Sequence, residues 1–127
     1  MATKPANHKS YRKKADEIFM SRYRGLPCEI CGSTYQTVFH HICPKSRSKA
    51  LRYDPQNGVI LCPRHHTLGN DMAPHSTNSL AVNRFFEWFK KTHPARHKWI
   101  VKNERIQRKY SYRQAVENLK AGKMAWE

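Results

Sequence analysis

Two short pairs of metal-ligating residues constrain this chain more than any other feature: Cys28-x-x-Cys31 and Cys62-x-x-His65, about thirty residues apart. Zn²⁺ takes four nitrogen or sulfur ligands in a tetrahedron, and two such pairs, each closed by a tight turn, supply a Cys₃His set. Gly32 gives the first turn room to close. With all four positions filled by protein, the ion is expected to be structural Zn²⁺. Cys43 is the rival fourth ligand, in a Cys₄ set that would free His65. It falls in an expected strand, away from any paired ligand, and otherwise reads as a small buried thiol. The four cysteines could also form two disulfides. The first residues, MATKPANHKSYRKK, are charged but hold no apolar core of a secretory signal. Metal ligation in a reducing, cytoplasmic setting is therefore the better reading.

A second set lies within and beside the first: His40–His41, Asn57 and His66. Neighbours on a strand project to opposite faces, so His40 and His41 cannot share one task. Neighbours on a helix stand about 100° apart, so His65 can face the zinc while His66 faces a second metal. Four histidines in two adjacent pairs, both near zinc ligands, are hard to read as scattered core or surface residues.

The chain has 24 Lys and Arg against nine acids, a net charge of +15 spread over 127 residues. Such a surplus suits a polyanion, nucleic acid first, over a merely solvated surface. A membrane is the poorer partner. No segment joins a basic face to a continuous apolar one, and no run approaches the ~18 apolar residues of a span.

The length suits one domain. Residues 1–9 are polar and expected to be disordered, and 10–127 form the domain, with a core at 26–75 and a helical part at 78–122. From Ser10 to Arg24 a helical stripe of Tyr11, Ala15, Ile18, Phe19 and Tyr23 predicts a helix packed on the zinc block, with Gly25 as its stop. Strands are predicted at 37–43 and 58–62, then a helix from Pro63 to about Gly69: a ββα unit. Val82, Phe85, Phe86 and Phe89 predict a helix ending at His93-Pro94, whose stripe reads as core before base-stacking platform. Pro94 can open another helix, and Ser111-x-x-Gln114 a last one with a capping box, ending at Gly122.

CEIC…HHICPKSR…NGVILCPRHH resembles the HNH endonucleases, the ββα-metal family. The resemblance implies an α+β fold: a small ββα-metal core with a zinc knot, flanked by an N-terminal helix and C-terminal helices. It makes His40 a metal ligand, His41 the general base, Asn57 the brace of the intervening loop and His66 the second metal ligand. His75 is a further candidate ligand or a plain loop histidine. The reverse register, His41 on metal and His40 as base, stays open. The catalytic divalent ion would be Mg²⁺, Mn²⁺, Ni²⁺ or Zn²⁺, and Lys45, Arg47, Lys49 and Arg52 would hold flanking phosphates. ALRYDPQNGVILC, the preceding ADEIFMSRYRG and the later FFEWFKKTHP are similar to small phage-encoded HNH proteins, NinG-like recombination nucleases among them.

The expected function is metal-dependent hydrolysis of DNA, double-stranded or branched, leaving 5′-phosphate and 3′-hydroxyl ends, in phage or prophage DNA processing. The expected place is the bacterial cytoplasm, with the nucleoid. Phage DNA-processing proteins are possible partners, and oligomeric state stays open. The alternative is a non-catalytic zinc-knot DNA-binding accessory of phage replication, recombination or packaging. RNA is a lesser substrate reading.

Overall fold

A computed structural model describes residues 8–127. Of the stretch expected to be disordered, residues 1–7 lie outside the described residues, while His8 and Lys9 already belong to the first helix. The elements run α1 (His8–Ser21), β1 (Val38–His41), β2 (Gly58–Leu61), a π-helical turn (Arg64–Leu68), α2 (Ser79–Thr92), α3 (Pro94–Asn103) and α4 (Tyr112–Lys120). Among the described residues, no helix is long and apolar enough to cross a membrane.

β1 and β2 pair antiparallel, with Phe39 opposite Ile60 and His41 opposite Gly58. Alternation along so short a hairpin sends neighbouring residues to opposite faces, and each face meets its own apolar cluster. Phe39 joins Ala15 and Phe19 of α1, Tyr53, and Val116 and Leu119 of α4. Val59 and Leu61 join Phe85 and Phe89 of α2, Ile100 of α3 and the thiols of Cys28 and Cys62. So α1 does pack on the block between the ligand pairs, through Phe39 and Tyr53, but its stripe does not join the cluster that holds Cys28 and Cys62. Its apolar stripe meets α4 and Phe39, because strand alternation turns Phe39 away from the cysteines.

Gly58 is needed for close approach. A Cβ there would collide with the ring of Phe39. Gly58→Ala is expected to push that ring out of the α1–α4 cluster at about 1–3 kcal/mol, read as a lower denaturant midpoint. An unchanged midpoint would contradict this packing.

The first turn of the knuckle is stitched to the edge of β2. Glu29 N–H donates to the Ile60 carbonyl at 2.9 Å, and Ile60 N–H donates to Glu29 Oε2 at 2.7 Å. Arg96 of α3 bridges Glu29 and the Gly58 carbonyl. Gly32 turns the chain back at φ +77°, with its N–H on the Cys28 carbonyl at 2.8 Å. These bonds hold Cys28 and Cys31 beside the far end of β2.

Five helix ends follow local chemistry, with small departures. α1 stops at Ser21, before Gly25. Asn78 caps α2 through a bond from Leu80 N–H at 2.9 Å. Pro94 occupies the first turn of α3. Ser111 caps α4 by accepting from Gln114 N–H, but the capping box is only half formed, because the Gln114 side chain donates to the Glu127 carbonyl instead. α4 closes with Gly122 N–H on Leu119 O and Lys123 N–H on Asn118 O, the paired bonds of a Schellman end. Of the aromatic stripe, Phe85 and Phe89 are core while Phe86 is exposed.

Candidate metal centres and cleft

Among the described residues, two groups of potential ligands gather tightly enough for one metal ion each: Cys28, Cys31, Cys62 and His65, and separately His40, His66 and His75. Within each group the ligand atoms lie within 4.8 Å of one another.

The first group has the edges of a tetrahedron. Cys31 Sγ lies 3.6 Å from Cys62 Sγ, and His65 Nδ1 lies 3.4 Å from Cys62 Sγ and 3.9 Å from Cys28 Sγ. Zn–S bonds of about 2.3 Å imply S···S edges of about 3.8 Å, so the cluster can hold zinc without rearrangement. Burial raises the Cys28 thiol's pKa, but backbone N–H groups of Cys31, Cys62 and Ile30 more than offset this and leave it below the usual value. Cys43 lies outside the group. It is buried in the apolar cluster, and burial pushes its thiol up.

The second group straddles three segments. His40 comes from β1, His66 from the π-helical turn and His75 from the loop beyond it. The ring centroids stand 4.8–5.3 Å apart. The π-helical turn follows Pro63 where an α-helical turn was expected, and it closes against Gly69, where a Cβ would strike the Arg64 carbonyl. His75 N–H donates to the His66 carbonyl at 3.0 Å, which ties that loop to the turn. His40 is 7% exposed, and its Nε2 is buried with no hydrogen-bond partner. Burial holds His40 down to about 3, helped by His66, His75 and His41. Burial and then His75 hold His66 down to about 4. A buried, uncharged imidazole with an idle ring nitrogen is costly, unless its lone pair serves a cation. That donor set fits a metal.

His41 lies outside this group, on the other face of β1, 5.0 Å from the Phe39 ring and 6.1 Å from Phe19 between centroids. Its Nε2 sits 2.7 Å from the Arg52 carbonyl. A carbonyl only accepts, so Nε2 carries the proton and Nδ1 keeps its lone pair. Burial lowers His41 to about 4, with Lys45 and Arg52 adding to the shift and the Arg52 carbonyl opposing it. Both faces of β1 border one cleft of about 410 Å³, whose walls include His40, His41, His66, His75, Lys45, Met20 and Phe86.

Asn57 is fully buried. Its Oδ1 accepts from Cys43 N–H at 2.8 Å, and its Nδ2 donates to the carbonyls of Cys43 and Leu51. One side chain thereby joins both ends of the loop that carries the basic residues. That loop is not uniformly presented to solvent. Lys45, Arg47 and Lys49 are exposed, and Arg52 is half-buried. Lys49 also donates to the Tyr110 carbonyl at 2.6 Å and lies over the Tyr110 and Tyr112 rings. Arg52 forms a two-pronged pair with Asp16. Phosphate contact was expected from all four; Arg52 is committed to Asp16, whereas Lys49 stays exposed although its ammonium also meets a carbonyl and two aromatic faces.

Sequence reasoning missed Asp16 and Tyr53. Asp16 reads as one of two adjacent acids, with Glu17, in a basic helix, and Tyr53 reads as an ordinary aromatic, so neither could be linked to the cleft without the fold.

The low histidine pKa values imply an acid-sensitive fold. An unfolded histidine takes up a proton near 6.5, whereas His41 and His66 resist until about 4 and His40 until about 3. Between these limits the unfolded chain binds more protons, so stability falls as pH falls. Protein with only the knot zinc-loaded is expected to melt at steadily lower temperature from pH 6.5 to 4, with a shallower decline in His66→Gln. Parallel declines would contradict the burial described for His66.

Residues 28–71 match the family model of the HNH endonucleases. The match takes in both ligand pairs, both strands, Asn57 and the π-helical turn, and it supports a nuclease-type function at family level. No curated protein and no solved structure matches the chain.

Proposed function

We propose that this protein is a metal-dependent HNH endonuclease that hydrolyses DNA phosphodiester bonds, with His41 as general base and His40, His66 and His75 as ligands of a divalent ion. One observation carries the reading. Three histidine ligand atoms lie within 4.8 Å of one another, beside a fourth histidine whose Nε2 is committed to a backbone carbonyl. A purely structural zinc protein needs the first cluster alone. Three protein ligands leave coordination positions open, as catalytic sites require.

The ion, Mg²⁺, Mn²⁺, Ni²⁺ or Zn²⁺, would supply charge stabilisation to the phosphate and the departing 3′ oxygen. His41 does the proton chemistry. Its Nδ1 accepts the proton of a water attacking phosphorus, and its depressed pKa keeps that lone pair free at neutral pH. The Arg52 carbonyl orients the ring and favours the cation that forms. Asn57 keeps the loop closed around this carbonyl. Lys45, on the cleft wall, and Arg47 hold flanking phosphates. The engagement of His41 with Arg52, outside the three-histidine group, favours this register over its reverse. A role in phage or prophage DNA processing, in the bacterial cytoplasm, accords with the local resemblances in sequence.

The test is a labelled DNA duplex with each metal in turn. Fragments with 5′-phosphate and 3′-hydroxyl ends are the expected result. Intact DNA that is nevertheless bound, and released steeply by salt, would replace this reading with a non-catalytic DNA-binding module.

A further inference from the structure

Asp16 lies on α1, outside the segment that matches the family model. It nevertheless grips two consecutive residues of the loop at the cleft. Arg52 Nε donates to Asp16 Oδ1 at 2.8 Å, and Arg52 Nη2 donates to Oδ2 at 2.6 Å. The hydroxyl of Tyr53 donates to Oδ1 at 2.7 Å. The pair is sheltered, with side-chain exposures of 11% for Arg52 and 24% for Asp16, and the Tyr53 ring is buried. Two-pronged pairs of this kind fix direction as well as distance. The peptide between Arg52 and Tyr53 begins with the carbonyl that receives His41 Nε2–H. On its other side, Leu51 is held by Asn57.

From this geometry we propose that Asp16 is a positioning residue for the general base: it holds the Arg52 carbonyl where that carbonyl fixes the orientation and tautomer of His41. The proposal rests on the nuclease reading for its kinetic consequence but not for its structural one. Three hydrogen bonds on one carboxylate leave residues 52 and 53 little freedom, and among the described residues the Arg52 carbonyl is the partner that holds the ring nitrogens of His41. Without Asp16, Arg52 loses its charged partner, its carbonyl can swing, and the imidazole can turn over or exchange its proton between nitrogens. α1 would then be part of the active site and not merely a covering helix.

The test is Asp16→Asn, with Arg52→Gln as a second variant that keeps the carbonyl and removes the pairing. Zinc content and a cooperative melt establish that each is folded. The kinetic expectation is a fall in kcat of about 10–100-fold, the scale of a misplaced catalytic group, with KM for DNA within about twofold. The spectroscopic expectation, read from ¹H–¹⁵N correlations of the histidine rings, is a single Nε2–H tautomer for His41 in the wild type and a mixture in the variants. An equal change in kcat and KM, or an unchanged kcat, would overturn the proposal. If the wild type cleaves nothing, the nuclease reading fails separately and the spectra decide alone: unaltered His41 signals in both folded variants would overturn the positioning role.

Discussion

His41→Ala is expected to lower cleavage by about 10²–10⁴-fold, the usual contribution of a positioned general base, while leaving zinc content, melting and DNA affinity close to wild type. The separation follows from where His41 sits. It belongs to neither ligand group, so its loss removes no metal donor. Its ring packs at the edge of the Phe39 and Phe19 cluster, so truncation leaves a small void beside an open cleft rather than one in a sealed core. Its hydrogen bond runs to a carbonyl that water can reach once the ring is gone. Retained activity would remove His41 from the chemistry. Lost activity with lost folding would show only that the edge of the cluster matters more than the packing suggests.

Cys62→Ser is expected to have the largest effect on stability: loss of zinc and of the cooperative melt together. The knot joins the knuckle, the end of β2 and the π-helical turn, and Cys62 sits next to two of its three fellow ligands, Cys31 at 3.6 Å and His65 at 3.4 Å. Metal binding and folding are one equilibrium in small zinc domains, on the order of 10–16 kcal/mol for zinc-finger peptides. A domain of ordinary stability, about 5–15 kcal/mol, cannot spare that. Cys43→Ala is the paired control. Cys43 lies outside the ligand group, so this variant should keep one equivalent of structural zinc and lose only the packing of a small buried side chain. A folded, zinc-loaded Cys62→Ser protein would show that the knot is assigned wrongly.

The chemistry of this chain was more legible in sequence than its packing. Cys28, Cys31, Cys62 and His65 could be grouped from spacing alone, because short turns bring such pairs together whatever surrounds them. His40 and His41 could be set on opposite faces because strand alternation is local. The cap at Ser111 and the break at Pro94 are local too. Partnerships across long stretches of chain were not legible. α1 meets α4, and nothing in either stripe names the other as its partner. Lys49 and Arg52 read as free cations, since their acceptors, the Tyr110 carbonyl and Asp16, lie far away in sequence. His75 stayed ambiguous because a loop histidine gains meaning only from the His66 carbonyl that fixes its backbone.

The most direct test of the central claim is supercoiled plasmid incubated with wild-type protein holding only its knot zinc, before and after addition of Mg²⁺, Mn²⁺, Ni²⁺ or further Zn²⁺, and again with EDTA. Nicked or linear plasmid that appears with added ion and stops forming on chelation is the expected result. Plasmid that stays supercoiled with every ion, although the protein binds it, would contradict a catalytic role for His40, His66 and His75.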